Sequence, residues 1–289
     1  MAVSGGPDSL ALLLLAHAAL PGQVAAATVD HRLRAESAQE ATMVARICAE
    51  LGVPHAILGV EVDAGNIQAQ ARVARYAALA GWMEAEGLSA LLTAHHSDDQ
   101  AETLLLRLGR GSGVAGLAGV RARGQVPGTR LPLLRPLLGW RRAELAGVVA
   151  AAGLEAVQDP SNTDDRFDRA RIRKAIAGAD WLDVPALALS AANLADAALA
   201  LDWAAAREWQ EGVAKAPMGL TYRPQAPRAV ALRVIERIVR ELDGSDPRGG
   251  QIAHLFEELL ARRPASIGNL VARVTPEGWS FTKAPQRRS

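Results

Sequence analysis

Short apolar runs alternate with helical runs through the first half of the chain. VAAATVD (24–30) reads as a buried strand. Residues 36–51 follow as an amphipathic helix, with Ala41, Val44, Ile47, Cys48 and Leu51 near helical spacing. HAILGV (55–60) predicts a second strand and residues 66–86 a long helix. SALLTAHH (89–96) predicts a third strand, followed by a helix over 98–108. Ahead of these, SGGPDS (4–9) separates the stub Ala2-Val3 from the helix-forming run Leu10–Ala16, so it reads as a strand-to-helix turn. After residue 140 the alternation fades: 141–152 looks helical, DPSNTDDRFD (159–168) is polar, and WLDVP (181–185) reads as a linker. Beyond it come an Ala-rich helix from 186 to 215 and helical runs at 228–242 and 248–262. NLVARVTPEGWSFTK (269–283) then reads as a small hairpin turning at Pro276-Glu277-Gly278. No internal repeat is visible.

This βαβα order predicts an α/β fold, a doubly wound and mostly parallel sheet covered on both faces. The pattern places a catalytic domain over 1–182 and a smaller, mainly helical domain over 186–289. Ligands of such sheets bind at the carboxyl ends of the strands. SGGPDS, Asp30-His31 and His95-His96 all fall there and should converge. Only three residues precede Ser4, fewer than the usual strand of about 5–6, so the natural start is expected to lie upstream.

Composition narrows the classes. The net charge is +1, so a nucleic-acid partner would need a local basic patch. A single cysteine, Cys48, excludes an internal disulfide framework and any CxxC metal or redox site. No stretch reads as apolar enough to cross a bilayer and no secretory signal precedes the core, so a soluble cytoplasmic protein is expected.

The SGGPDS turn offers free backbone N–H groups and a helix dipole to an anion. Gly5 and Gly6 let the backbone approach it, Pro7 opens the helix, and Ser4 and Ser9 add donors. Asp8 would repel a phosphate unless a cation such as Mg²⁺ lay between them; an ordinary helix cap would also explain it. HHSDDQAET (95–103) sets His95, Asp98, Asp99 and Glu102 at a strand end. Ser97 with Gln100 forms a capping-box pattern, which places Asp99 and Glu102 on one face of the first turn. Acids holding Mg²⁺ for a nucleotide fit this better than a zincin-type site. Arg110 lies in a flexible Gly-rich loop (110–113). Arg72 and Arg75 lie three apart on a helix, and Arg166, Arg169 and Arg173 would share another helical face, with solvation or RNA phosphate as their alternatives. The loop lacks the lysine of a GxxxxGK[ST] motif, which disfavours transfer of the terminal phosphoryl group. Attack at the α-phosphate, with pyrophosphate leaving, would make an adenylate.

SGGPDS resembles the pyrophosphate loop of the N-type ATP pyrophosphatases. It is followed in order by VDHRLR (29–34), QARVARY (70–76), HHSDDQAET (95–103), RGSGVAGLAG (110–119), RPLL (135–138) and DPSN…RARIR (159–173). The ordered set, over residues 3–180, resembles the tRNA(Ile)-lysidine synthetases of the PP-loop superfamily, in their short form. The resemblance implies that ATP adenylates C2 of the wobble cytidine of tRNA(Ile) with a CAU anticodon, and that the ε-amine of free L-lysine then displaces AMP to give lysidine. It implies ATP contacts at Ser4, Gly5, Gly6, Pro7, Asp8, Ser9 and Asp30, and catalysis and Mg²⁺ binding at Asp8 and Asp99. His95, Asp98, Glu102, Arg110 and Arg171 would belong to the same site, and Arg72, Arg75, Arg166, Arg169 and Arg173 would touch tRNA. Two positions depart from the family pattern: Ala170 where an amide is usual, and Gln68 where Glu is common. A PP-loop tRNA thiolase is the alternative, although the type that thiolates cytidine needs clustered cysteines. No membrane contact is expected, and a homodimer is left open.

Overall fold

The computed structural model describes residues 1–31, 37–61, 67–157, 166 and 168–284, apart from the side chains of 67–69. Of the motifs above, RLR (32–34) and DPSN (159–162) lie outside the described residues, as does the Gln68 side chain. Two compact units emerge, one of residues 1–112 with 116–193 and one of residues 113–115 with 194–289. The division at 193/194 falls beyond the expected linker.

In the first unit the elements run α1 (Pro7–Ala19), β1 (Ala26–Asp30), α2 (Ser37–Glu50), β2 (His55–Gly59), α3 (Ile67–Ala85), β3 (Leu91–Leu92) and α4 (Ser97–Leu108). Next come α5 (Val114–Leu117), which straddles the division, β4 (Arg123–Gln125), β5 (Pro132–Leu134), α6 (Arg142–Ala151) and α7 (Asp168–Ala177). β1 pairs parallel with β2, and β3 parallel with β5, while β4 closes the edge antiparallel to β5. Residues 1–3 join the two ladders. Val3 N–H donates to Ala27 O at 2.9 Å, Ala27 N–H to Met1 O at 2.8 Å, and Ala2 N–H to Leu92 O at 3.0 Å. The sheet therefore runs β2, β1, residues 1–3, β3, β5, β4, with the SGGPDS turn leaving its centre.

Apolar side chains bury both faces. On one, Leu10, Leu12 and Leu13 of α1 meet Val44, Ile47 and Cys48 of α2 and Leu145 and Val149 of α6. On the other, Tyr76, Leu79 and Met83 of α3 cover Ala27, Leu91 and Leu133 of the strands. That is the doubly wound arrangement expected from the sequence. The third strand is shorter than predicted, because only Leu91–Leu92 pair as a ladder before the chain turns toward α4.

α8 (Val184–Gly212) begins in the first unit and ends in the second. Its length and composition alone would allow it to cross a membrane, which corrects the expectation that no stretch could. Alanine gives it that apolar character. Ala191 and Ala198 are buried, and Asp202 pairs with Arg233 at 2.9 Å.

The second unit continues with β6 (Val213–Ala216), β7 (Gly219–Tyr222), α9 (Arg228–Asp243), α10 (Gly249–Leu260), β8 (Ala265–Ile267), β9 (Leu270–Thr275) and β10 (Gly278–Lys283). The expected hairpin is present as β9 and β10, but it forms part of a five-stranded antiparallel sheet ordered β6-β7-β10-β9-β8. Val234, Ile235 and Ile238 of α9 and Leu255 and Phe256 of α10 pack on Tyr222, Trp279 and Phe281 of that sheet.

Candidate active site

The SGGPDS turn is built around Ser9. Its hydroxyl donates to Gly6 O at 3.0 Å, accepts from the Ser4 N–H at 3.1 Å, and lies 3.2 Å from Ser4 Oγ. Gly6 caps α1, Pro7 opens it, and Asp8 follows in its first turn. Gly5 adopts a φ of +85°, and a Cβ there would come 3.1 Å from Met43 Cε and 3.3 Å from Val157 Cγ2. The positive φ favours glycine, and the close side chains tighten that preference. Gly5 O also accepts from Val157 N–H at 3.0 Å.

α4 brings its acids to this turn. His96 is fully buried, with Nε2 3.4 Å from Asp8 Oδ2 and 3.6 Å from Asp99 Oδ2, and Nδ1 3.7 Å from Asp98 Oδ2. Burial alone would lower the His96 pKa, but the carboxylates of Asp8 and Asp99 outweigh it and raise the value. Asp8 and Asp99 thus share one imidazole, and Asp8 Oδ1 is buried with no hydrogen-bond partner among the described residues. The helix cap differs from expectation. The His96 N–H donates to Asp99 Oδ2 at 3.1 Å, whereas Ser97 Oγ donates to Trp140 O at 2.7 Å. Gln100 reaches across the fold instead, donating to Val120 O at 2.8 Å and accepting from Val120 N–H at 2.7 Å.

Behind these acids lies an ionic cluster. Asp98 accepts from Arg141 Nε at 3.1 Å and from the Arg142 N–H at 2.9 Å. Burial works to raise the Asp98 pKa, but these donors hold the carboxyl below its ordinary range. Glu102, 2% exposed, accepts from Arg173 Nε at 2.9 Å and Arg142 Nη2 at 3.4 Å. A cavity of about 300 Å³ opens among Asp98, Glu102, Arg141, Arg142, Arg173 and Asp183.

A family model for the PP-loop domain matches residues 1–179. The tRNA(Ile)-lysidine synthase of Novosphingobium aromaticivorans is 48% identical, covering all of this chain and 90% of that protein. The tRNA(Ile)-lysidine synthase of Zymomonas mobilis subsp. mobilis is 38% identical, covering all of this chain and 89% of its own length. The chain belongs to the tRNA(Ile)-lysidine synthase family. Among solved structures, the U34-tRNA thiolase NcsA from Methanococcus maripaludis shares the fold. It has a TM-score of 0.55 at 18% identity over 67% of this chain and 69% of that one.

In this member of the tRNA(Ile)-lysidine synthase family the other candidate residues fall into separate groups. Asp30 ends β1 and accepts from Ser37 Oγ at 2.6 Å. Arg110 and Arg171 both pair with Asp168, so the Arg110 loop meets the first turn of α7 at one carboxylate. His95 lies apart from the acids. Its Nδ1 is 3.0 Å from Thr93 Oγ1, and burial, aided by Arg135, Arg75, Arg169 and Arg72, lowers its pKa to about 3. Arg72 and Arg75 stack over the ring of Tyr76 at 5.0 and 5.1 Å. The expected common face of Arg166, Arg169 and Arg173 is formed only in part, by Arg169 and Arg173 four positions apart on α7. α7 begins at Asp168, so Arg166 precedes it, and Arg173 is drawn to Glu102 while Arg169 stays exposed.

The sequence reading missed His96, Arg135, Arg141 and Arg142. The His-His pair was visible, but which ring faces the acids depends on how the chain turns into α4. The pairing of Arg141 and Arg142 with acids some forty positions away has no local signal.

Proposed function

We propose that this chain forms lysidine, consuming ATP and free L-lysine at the wobble cytidine of tRNA(Ile) with a CAU anticodon. One observation carries the reading: the SGGPDS turn and the Asp8–His96–Asp99 group lie together at the carboxyl end of the sheet's centre. The turn's free N–H groups and the Ser4 hydroxyl grip the β- and γ-phosphates, Ser9 holds the turn in shape, and Asp30 takes the nucleoside side. The cytosine O2 attacks the α-phosphorus and pyrophosphate departs. The neutral ε-amine of lysine then adds to C2, AMP leaves with the O2 oxygen, and one of the amine's two protons passes to solvent while the other stays on the nitrogen of lysidine.

Asp8 and Asp99 would hold Mg²⁺. The buried, unpartnered Asp8 Oδ1 suits this, as does a supply of only two carboxylates, because Mg²⁺ commonly takes one or two together with substrate phosphates. The ion would supply neutralising charge at the phosphates. Within the chain itself, His96 fixes both carboxylates, and Arg110 and Arg171, joined through Asp168, offer charge to the departing anions. Asp98 and Glu102 hold the wall behind with their arginines. The second unit is assigned to tRNA contact, and a tRNA substrate places the reaction in the cytoplasm.

Incubation with ATP, labelled lysine and unmodified tRNA(Ile) tests the reading. Label should enter the tRNA with stoichiometric release of AMP and pyrophosphate. ATP consumption that depends on a sulfur donor and gives thiolated tRNA would instead establish the thiolase alternative.

A further inference from the structure

We propose that Arg72, Arg75, Arg135 and Arg169 form a single phosphodiester-binding site around His95, which seats the tRNA backbone beside the reacting base. The inference rests on the tRNA reading above and gives it a location. The four arginines come from three separate parts of the first unit. Arg72 and Arg75 lie on α3, Arg135 directly follows β5, and Arg169 lies on α7. β3 and β5 run parallel, so Arg135 and His95 emerge at the same carboxyl end, which is the ligand-binding end of such a sheet. All four positive charges bear on His95, and Arg169 also bears on Arg107.

Among the described residues this concentration of charge has no counterion. Among the described residues, no carboxylate pairs with any of the four arginines, in contrast to Arg110, Arg141, Arg171 and Arg173, which all have acid partners. Guanidinium groups gathered without acids repel one another, and a bound anion relieves that repulsion. Burial adds direction. Arg135 is only 9% exposed, its Nη1 donates to Arg121 O at 2.6 Å, and its Nε has no hydrogen-bond partner among the described residues. Arg72 and Arg75 are held by stacking over Tyr76, which pre-orders two long side chains. The site thus grades from a fixed, buried arginine to the exposed Arg72 and Arg169. Such a gradient suits a chain of phosphodiesters passing over the surface. His95, whose pKa is about 3, stays uncharged at neutral pH, so the arginines alone set the site's charge.

The experiment measures binding of a tRNA(Ile) transcript with a CAU anticodon to the full chain over a series of salt concentrations, with ATP affinity measured in parallel. Arg72→Ala and Arg169→Ala, both at exposed positions on different elements, should each weaken RNA binding about tenfold and reduce the log–log salt slope by about one unit. ATP affinity should not change. Arg75→Lys should retain more RNA affinity than Arg75→Ala, because charge persists while the stacking fork is lost. Arg46→Ala, on α2, should change neither quantity. Three results would overturn the proposal. One is a salt slope equal to wild type in both exposed variants while wild type still makes lysidine, which leaves the reaction standing and removes this site. Another is lost ATP affinity with unchanged RNA binding, which assigns the cluster to the triphosphate. The third is a wild-type chain that binds no RNA, which removes the reaction as well.

Discussion

Asp8 and Glu102 are both carboxylates of one site, yet their surroundings give them opposite work. Asp8 faces His96 with one oxygen and has no partner at the other among the described residues, whereas Glu102 is 2% exposed and held by two arginines. Asp8→Asn and Asp99→Asn are each expected to abolish lysine incorporation and to cost about 1–3 kcal/mol, as measured by urea unfolding, because each removes a carboxylate that balances the buried His96. Near-normal turnover in either would remove that residue from the chemistry. Glu102→Gln should instead cost about 2–3 kcal/mol, because it withdraws a buried negative charge on which two partly buried guanidinium groups converge. Asp98 adds a pH dependence. Its folded pKa is depressed by Arg141 and the Arg142 N–H, so its stabilisation is fully present above the ordinary aspartate pKa. It is lost as pH falls below that value through the folded one. Unfolding followed from pH 5 downward should therefore show a shallower acid loss of stability in Asp98→Asn than in wild type. An unchanged acid limb would mean that the ion pair does not hold in solution.

At the scale of elements, periodicity located the helices well and said little about their anchoring. The helices at 36–51, 66–86 and 98–108 appear within a residue or so as α2, α3 and α4, because an apolar stripe at helical spacing is a local property. The start of α4 was misassigned. Ser97 and Gln100 have the right types and spacing for a capping box, but Trp140 and Val120 compete for them, and Asp99 takes the cap. Such competition is tertiary and leaves no mark within the motif. Gln100 in consequence ties α4 to the chain leaving the Arg110 loop. Gly119, with φ +65° and a would-be Cβ 2.4 Å from Gln100 Oε1, is shaped to admit it. Gln100→Leu strands both Val120 backbone groups and should cost about 1–3 kcal/mol. Faster amide exchange around residues 116–120 would accompany that loss, and exchange unchanged from wild type would show that the clamp is not what orders the segment.

Across the whole molecule, a net charge of +1 conceals a strongly uneven distribution, with acids gathered on α4 and, among the described residues, arginines without acid partners gathered around His95. The sequence reading saw the members of both groups but could not sort them, since the partners lie on different elements. The second unit was legible only in its helices and one hairpin. Strands of three or four residues, such as β6, β7 and β8, are too short for alternation to register. Their sheet is locked to α8 by a buried carboxylate, which no sequence motif announced. Glu208 accepts from Tyr222 Oη at 3.0 Å and from the Gln225 and Ala226 N–H groups at 2.8 and 3.1 Å. One acid thereby satisfies three donors where the chain leaves β7 for α9. Glu208→Ala leaves those donors without an acceptor and should cost about 2–4 kcal/mol. Amide exchange at Gln225 and Ala226 should rise, while ATP affinity stays at the wild-type value, because every residue assigned to the nucleotide lies in the first unit. A variant that keeps its stability but loses ATP affinity would contradict both assignments, making Glu208 a ligand-side group rather than the pin of the second unit's sheet.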